Sequence, residues 1–153
     1  MSKSDLQQSL REAMLQKDTI RVSVLRMLLS AINYYEIQKG GAGYEATAED
    51  VLSVIEKEVK QHRDSIEQFK TGNRGDLVEK EQAELSVLEK YLPEQMSEAD
   101  LQKLVDAAVT QTGAKTQQDM GKVMGYLMPN IKGKADGTLV SRLVKEKLTS
   151  ANA

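Results

Sequence analysis

The chain has no cysteine and no tryptophan, one histidine, one phenylalanine and two prolines among 153 residues. Without cysteine there is no disulfide, no thiolate nucleophile and no zinc-thiolate site. A lone histidine, His62, excludes His-based metal clusters, and any Ser-His-Asp triad would have to be built around it. Aromatics are scarce, so Leu, Val, Ile, Met and Ala must fill the core, a composition that suits helices. No window approaches the roughly 18 uninterrupted apolar residues of a membrane span. The start, MSKSDLQQSLREAM, has neither the apolar run of a signal peptide nor the Arg/Ser-rich make-up of a transit peptide, and a cytoplasmic protein is expected. The formal net charge of -2 is unlike that of a general nucleic-acid binder, so any anion site must be local.

What is present is helical periodicity. Ser4 and Gln7 have capping-box spacing ahead of Leu6, Leu10, Ala13 and Met14. Asp18 or Thr19 can cap a second helix that runs to Gly40-Gly41, and its apolar residues cover much more than one stripe, which predicts a central position. Thr47 opens a third helix with Val51, Ile55, Val59, His62, Ile66 and Phe69 on one seam, ended by Gly72. Asp76 with Glu79 repeats the capping spacing before a fourth, stopped by Pro93.

Pro93 to Ser97 marks a boundary, because one helix must end near Pro93 and another can begin with Ser97 as cap and Asp100 at N3. The expected architecture is all-α: an N-terminal helical bundle over 1–95 and a small C-terminal domain over 96–153. Three shorter helices are predicted in the latter, at 98–111, 117–129 and 138–148. No strand is predicted.

Acidic residues exceed basic ones before Pro93, and the balance reverses from Met120 to Leu148. There Lys122, Lys132, Lys134, Arg142, Lys145 and Lys147 oppose only Asp136 and Glu146. Such an excess suits phosphate contacts, although lysines near helix C-termini also complement the macrodipole. The segment KGKADG is neither GxxxxGK[ST] nor GxGxxG, and no strand precedes it. It reads as a helix-turn-helix corner in which Gly133 takes a positive φ and Asp136 caps the next helix, with Lys132 and Lys134 as flanking contacts. His62 reads as a packed, hydrogen-bonded core histidine, and the abundant helix-face carboxylates as i,i+4 partners of lysine and arginine. No catalytic residue, metal ligand set or cofactor is assigned. Met120, Met124 and Met128 recur every four residues and read as core, and Gly121 and Gly125 as a site of close helix approach.

The stretches Leu25 to Ile32 (LRMLLSAI), Arg74, Asp76-Leu77, Lys80-Glu81, Glu84-Leu85, Tyr91-Leu92-Pro93 and DMGKVMGYLMPNIKGKADG resemble the YqeY family over nearly the whole chain. The last of these is also similar to the C-terminal tail of GatB, a component of the glutamine-dependent tRNA amidotransferase. The matching residues are Gly121-Lys122-Val123-Met124, Lys132-Gly133-Lys134-Ala135 and a closing helix from Val140 to Leu148. The resemblance implies an all-helical fold with a tail-like C-terminal domain, and that tail helps to recognise the body of tRNA. Asp136-Gly137 stands where the amidotransferase tail tends to have Asn-Pro, which alters the start of the final helix and adds a negative charge.

The expected function is therefore non-catalytic binding of tRNA, or of a tRNA-linked enzyme, through the C-terminal domain. The candidate nucleic-acid contacts are Lys122, Lys132, Lys134, Arg142 and Lys145. A protein-interaction module docking on an amidotransferase or an aminoacyl-tRNA synthetase is the alternative. A carbon-nitrogen ligase activity ranks third, since nothing in the sequence looks like the kinase portion of GatB or the amidase that works with it. No membrane partner is expected.

Overall fold

The computed structural model describes residues 1–150. Among these it is all-α: seven helices, one short 3-10 turn and no strand. The helices are α1 (Lys3–Leu15), α2 (Thr19–Gly40), α3 (Ala48–Thr71), α4 (Gly75–Glu89), α5 (Glu98–Thr112), α6 (Met120–Ile131) and α7 (Gly137–Ser150), with the 3-10 turn at Gln117–Asp119. None is long and apolar enough to cross a membrane.

The caps follow local chemistry. Asp18 accepts from the Arg21 N–H at 3.0 Å. Thr47 and Asp50 form a reciprocal capping box, and Ser97 accepts from the Asp100 N–H at 3.1 Å. Two expectations are corrected. The N-cap of α1 is Ser2, not Ser4, with Asp5 completing the box; Ser2-x-x-Asp5 has the same spacing as Ser4-x-x-Gln7, and its carboxylate is the stronger acceptor for backbone N–H groups. Asp76 does not cap α4. Arg74 occupies the N-cap position without a side-chain cap bond, and its guanidinium pairs with Asp76 at 3.0 Å. Asp76 still lies in the first turn, where a negative charge suits the helix dipole. Helix α6 also runs past Pro129 to Ile131. Pro129 withdraws the N–H that the Gly125 carbonyl would accept, and Gly125 is solvent-exposed, so that carbonyl is not left dry.

Two compact units divide the chain between Leu92 and Pro93. In the first, α1 pairs with α2, α3 pairs with α4, and α2 packs on both α3 and α4. Its core is built from Leu6, Val24, Leu25, Leu28, Ile32, Val51, Ile55, Val59 and Leu88, with their neighbours. The second unit packs α5, α6 and α7 around Leu101, Val105, Ala108, Val123, Leu127, Ile131, Val140, Leu143, Val144 and Leu148. Gln95 and Met96 bond to the corner between α6 and α7, which ties them to this unit rather than to the one before.

Candidate nucleic-acid interface

Chemistry-bearing side chains gather in three places. In the first unit Asp50 is buried beside the loop that joins α2 to α3. It accepts hydrogen bonds from Lys39 Nζ, from the Tyr35 hydroxyl at 2.9 Å and from the Tyr44 hydroxyl at 2.6 Å. The backbone N–H and hydroxyl of Thr47 donate to the same carboxylate at 3.0 and 2.9 Å. Lys39, followed by Tyr44, holds Asp50 far below the usual carboxylate range, and Asp50 in turn raises Lys39. Glu36 is held low by Lys3 and then by the Ala46 N–H. With every acceptor engaged, this network fastens the loop down and offers no vacant group to a substrate.

The second place is His62. Its Nδ1 lies 2.6 Å from Glu81 Oε2 and 3.9 Å from Glu84 Oε2, with all three side chains largely shielded. A packed, hydrogen-bonded histidine is therefore what the seam contains. The exclusion of any His-based cluster needs correction, since one imidazole and two carboxylates bring ligand atoms within 4.8 Å of one another. Counting imidazoles overlooked carboxylates delivered by the neighbouring helix. This donor set would have to give up the Nδ1–Oε2 contact to hold a cation.

The third place is the basic end of the second unit. Gly133 takes φ +75°, the left-handed conformation that glycine adopts without penalty. Its carbonyl accepts from Gln95 Nε2 at 2.6 Å, and the Lys134 carbonyl accepts from the Met96 N–H at 2.8 Å. Both the Lys134 and the Ala135 N–H groups donate to the carbonyl of Ile131, whose side chain is in the core. The corner is thus held from two sides. Asp136 Oδ1 accepts from the N–H groups of Thr138 at 2.8 Å and Leu139 at 3.1 Å. The N-terminus of α7 is therefore capped by the chain's own carboxylate, and a phosphate cradle there would have to compete with it.

Around this corner Lys134 is exposed and Lys132 is half-buried as the C-cap of α6. Arg142 and Lys145 are both exposed and one turn apart on α7. Arg142 makes solvent-facing ion pairs with Glu98 at 3.4 Å and Glu146 at 3.7 Å. Lys122 stands apart. Gln117 Nε2 donates to Thr149 Oγ1 at 2.9 Å, which sets the start of α6 beside the end of α7. Lys122 therefore lies at the far end of α6 from Lys132, about 15 Å along the helix. Lys147 is committed elsewhere, with Nζ 3.1 Å from Asp106, whose carboxyl it depresses.

The spacing of the methionines puts Met128 in the core and does not single out Tyr126, and the structure leaves both at the surface. Tyr126 is 49% exposed and Met128 44% exposed, both on the outer side of α6. Tyr126 lies one turn beyond Lys122, an i,i+4 spacing that was visible in the sequence once the core face of α6 is known. The methionine stripe divides: Met120 and Met124 pack on the core and Met128 does not. Gly121 and Gly125 face open space, so this GxxxG brings no helix close.

A family model described as Yqey-like protein matches residues 3–148. A relative from Pyrenophora tritici-repentis named "Altered inheritance of mitochondria protein 41, mitochondrial" is 34% identical over 145 residues, covering 92% of this chain and 77% of the relative. The protein of the same name from Saccharomyces cerevisiae is 37% identical over 129 residues, covering 80% of this chain and 68% of its own length. In Lachancea thermotolerans the corresponding protein is 35% identical over 112 residues, covering 72% and 59%. The expectation of a cytoplasmic protein is overturned by these names, which place the relatives in mitochondria. A cysteine-free helical chain with a polar surface carries no mark that separates one aqueous compartment from another.

Proposed function

This chain belongs to the Yqey-like family, and from that membership we propose that it is a non-catalytic protein that binds tRNA, or an enzyme carrying tRNA, through its second unit. The observation that carries the reading is the pinned α6–α7 corner, whose backbone is held at both the Gly133 and the Lys134 carbonyl. A lysine rooted in fixed backbone loses less freedom when it meets a phosphate. Arg142 and Lys145 extend the positive surface along α7, and the exposed ion pairs of Arg142 contribute little stability, so exchanging them for phosphate costs little. Lys122 with Tyr126 forms a separate contact, a cation one turn from a half-exposed ring on which an unpaired base can stack. The arrangement suits RNA shape and backbone rather than a base code.

Fluorescence anisotropy of labelled tRNA against the intact protein tests this, with the paired substitution Lys132→Glu and Lys134→Glu as the decisive variant. Reversing the charge of a lysine that meets a phosphate turns attraction into repulsion, and at least tenfold weaker binding is expected for the pair. Equal affinity of the variant at low salt sinks the proposed surface.

A protein partner is the second reading, supported by Tyr126 and Met128 beside the open Gly121 and Gly125 on α6. A tRNA-modifying or aminoacylating enzyme recognised in this way stays bound after nuclease treatment and is released by Met128→Glu.

A further inference from the structure

Helix α2 is apolar on two opposite sides. Val24, Leu25, Leu28 and Ile32 are buried in the first core, while Ile20, Met27, Tyr34 and Ile37 are exposed. A helix that is hydrophobic all round is ordinarily covered all round. The exposed residues have an order of their own. Ile20, Ser23, Met27, Ser30, Tyr34 and Ile37 alternate at steps of three and four, and all six face solvent. This is the a/d repeat of a coiled-coil seam, about 26 Å long and without a charge.

We propose that this seam pairs with the same seam of a second copy, antiparallel, about a two-fold axis passing between residues 28 and 29. In that register Ile20 meets Ile37 of the second copy, Ser23 meets Tyr34, and Met27 meets Ser30, and each contact recurs with the copies exchanged. A two-fold interface requires this reciprocity. The match is also one of size, because Tyr and Met are each set against Ser. Parallel pairing instead stacks Ser23 on Ser23 and Ser30 on Ser30, leaving voids in two layers.

The surroundings of Ser23 fit the larger partner. A hollow of about 540 Å³ lies on one side of it, lined by Met14, Val22 and Met27 among others. A second hollow of about 240 Å³, bordered by Ile20 and Ala83, lies on the other. The register delivers Tyr34 of the second copy to Ser23, which with Thr19 lines both hollows. Lys17 and Arg26 also line the first hollow, and Lys80 and Glu84 the second. The antiparallel register sets Arg26 beside Asn33 of the second copy, so like charges do not meet across the flank.

The exposed fractions are 47% for Ile20, 54% for Met27, 63% for Tyr34 and 65% for Ile37. With roughly 200 Å² for a whole large side chain, two copies together cover about 900 Å² from these residues alone. The serines and the stem of Arg26 bring the total near the ~1,000 Å² expected of a specific but modest interface. The dimer is therefore weak, and its population depends on protein concentration.

Sedimentation velocity of the intact chain from about 1 to 500 μM covers weak, micromolar self-association. The expected result is a reversible monomer–dimer equilibrium, weakened at least tenfold by Met27→Glu and by Ser30→Glu, with thermal melts showing that both variants are folded. The absence of native cysteine allows the register to be read by cross-linking. Chains carrying Met27→Cys mixed with chains carrying Ser30→Cys should form the mixed disulfide in preference to either like pair. A monomer throughout, a dimer indifferent to both glutamates, or preferential linkage of Met27→Cys chains to each other overturns the proposal.

Discussion

Asp50 shows how much one buried carboxylate can organise. Lys39, Tyr35, Tyr44 and Thr47 converge on it from a helix end, a loop and a cap. Its folded-state pKa is depressed, so the stabilisation is complete above the unfolded-state value near 4 and is lost as pH falls below it. Asp50→Asn should therefore destabilise the protein clearly at pH 7, and the difference from the native chain should narrow toward about pH 2.5, where the unfolded chain binds a proton that the folded Asp50 does not. Urea midpoints at the two pH values check this, and a difference independent of pH would contradict the role of the charge. The Thr47–Asp50 cap is legible from its capping-box spacing. The tyrosines were not foreseeable, because they approach Asp50 only once α2 and α3 are packed. His62 makes the same point: its apolar seam was legible, but Glu81 arrives from another helix.

Among the elements, the α6–α7 corner joins a correct expectation to an unforeseen support. Gly133 with positive φ and Asp136 as cap were both legible in KGKADG, because each is a local backbone requirement. Gln95 and Met96 were not, since they reach the corner from 38 residues away in sequence. Asp136 has two opposed effects. Replacing it with Ala removes the cap of α7 at a cost of about 1 kcal/mol, and uncovers N–H groups that attract anions, which should strengthen tRNA binding roughly two- to fivefold. A melt and a titration on the same variant give both signs, and lower stability with unchanged or weaker binding would separate the corner from the phosphate contact. Helix α6 illustrates the limit of periodicity. Met128 continues the stripe of Met120 and Met124 by spacing, but each four-residue step turns about 40° further around the helix, which carries it off the face of Val123, Leu127 and Ile131.

For the whole molecule, a net charge of -2 conceals an uneven distribution, with an acidic first unit and the basic segment in the second. Long-range repulsion of a polyanion by the first unit and attraction by the second are both screened by salt. Counterion release makes the slope informative. If Lys122, Lys132, Lys134, Arg142 and Lys145 all meet phosphates, log affinity should fall against log salt with a slope of about -3.5 to -4.5. A slope near -1 would mean that most of the five stay in their own ion pairs or in water. Compartment belongs to this scale too, and relatives named as mitochondrial overturn the cytoplasmic expectation drawn from the polar start of the chain.

The sequence by itself determined the all-helical class, most helix ends and the Gly133 turn. These depend on spacing, caps and backbone freedom, which act within a few residues. Tertiary structure decided which polar groups meet, as at Asp50, His62 and the Gln95 bond to Gly133. It decided which apolar stripe is covered and which is left in water, separating the buried side of α2 from its Ile20, Met27 and Tyr34 side and Met124 from Met128. It also set Lys122 apart from the corner lysines. Those outcomes depend on how helices cross and which neighbour arrives, and helical spacing is the same whichever face is finally covered.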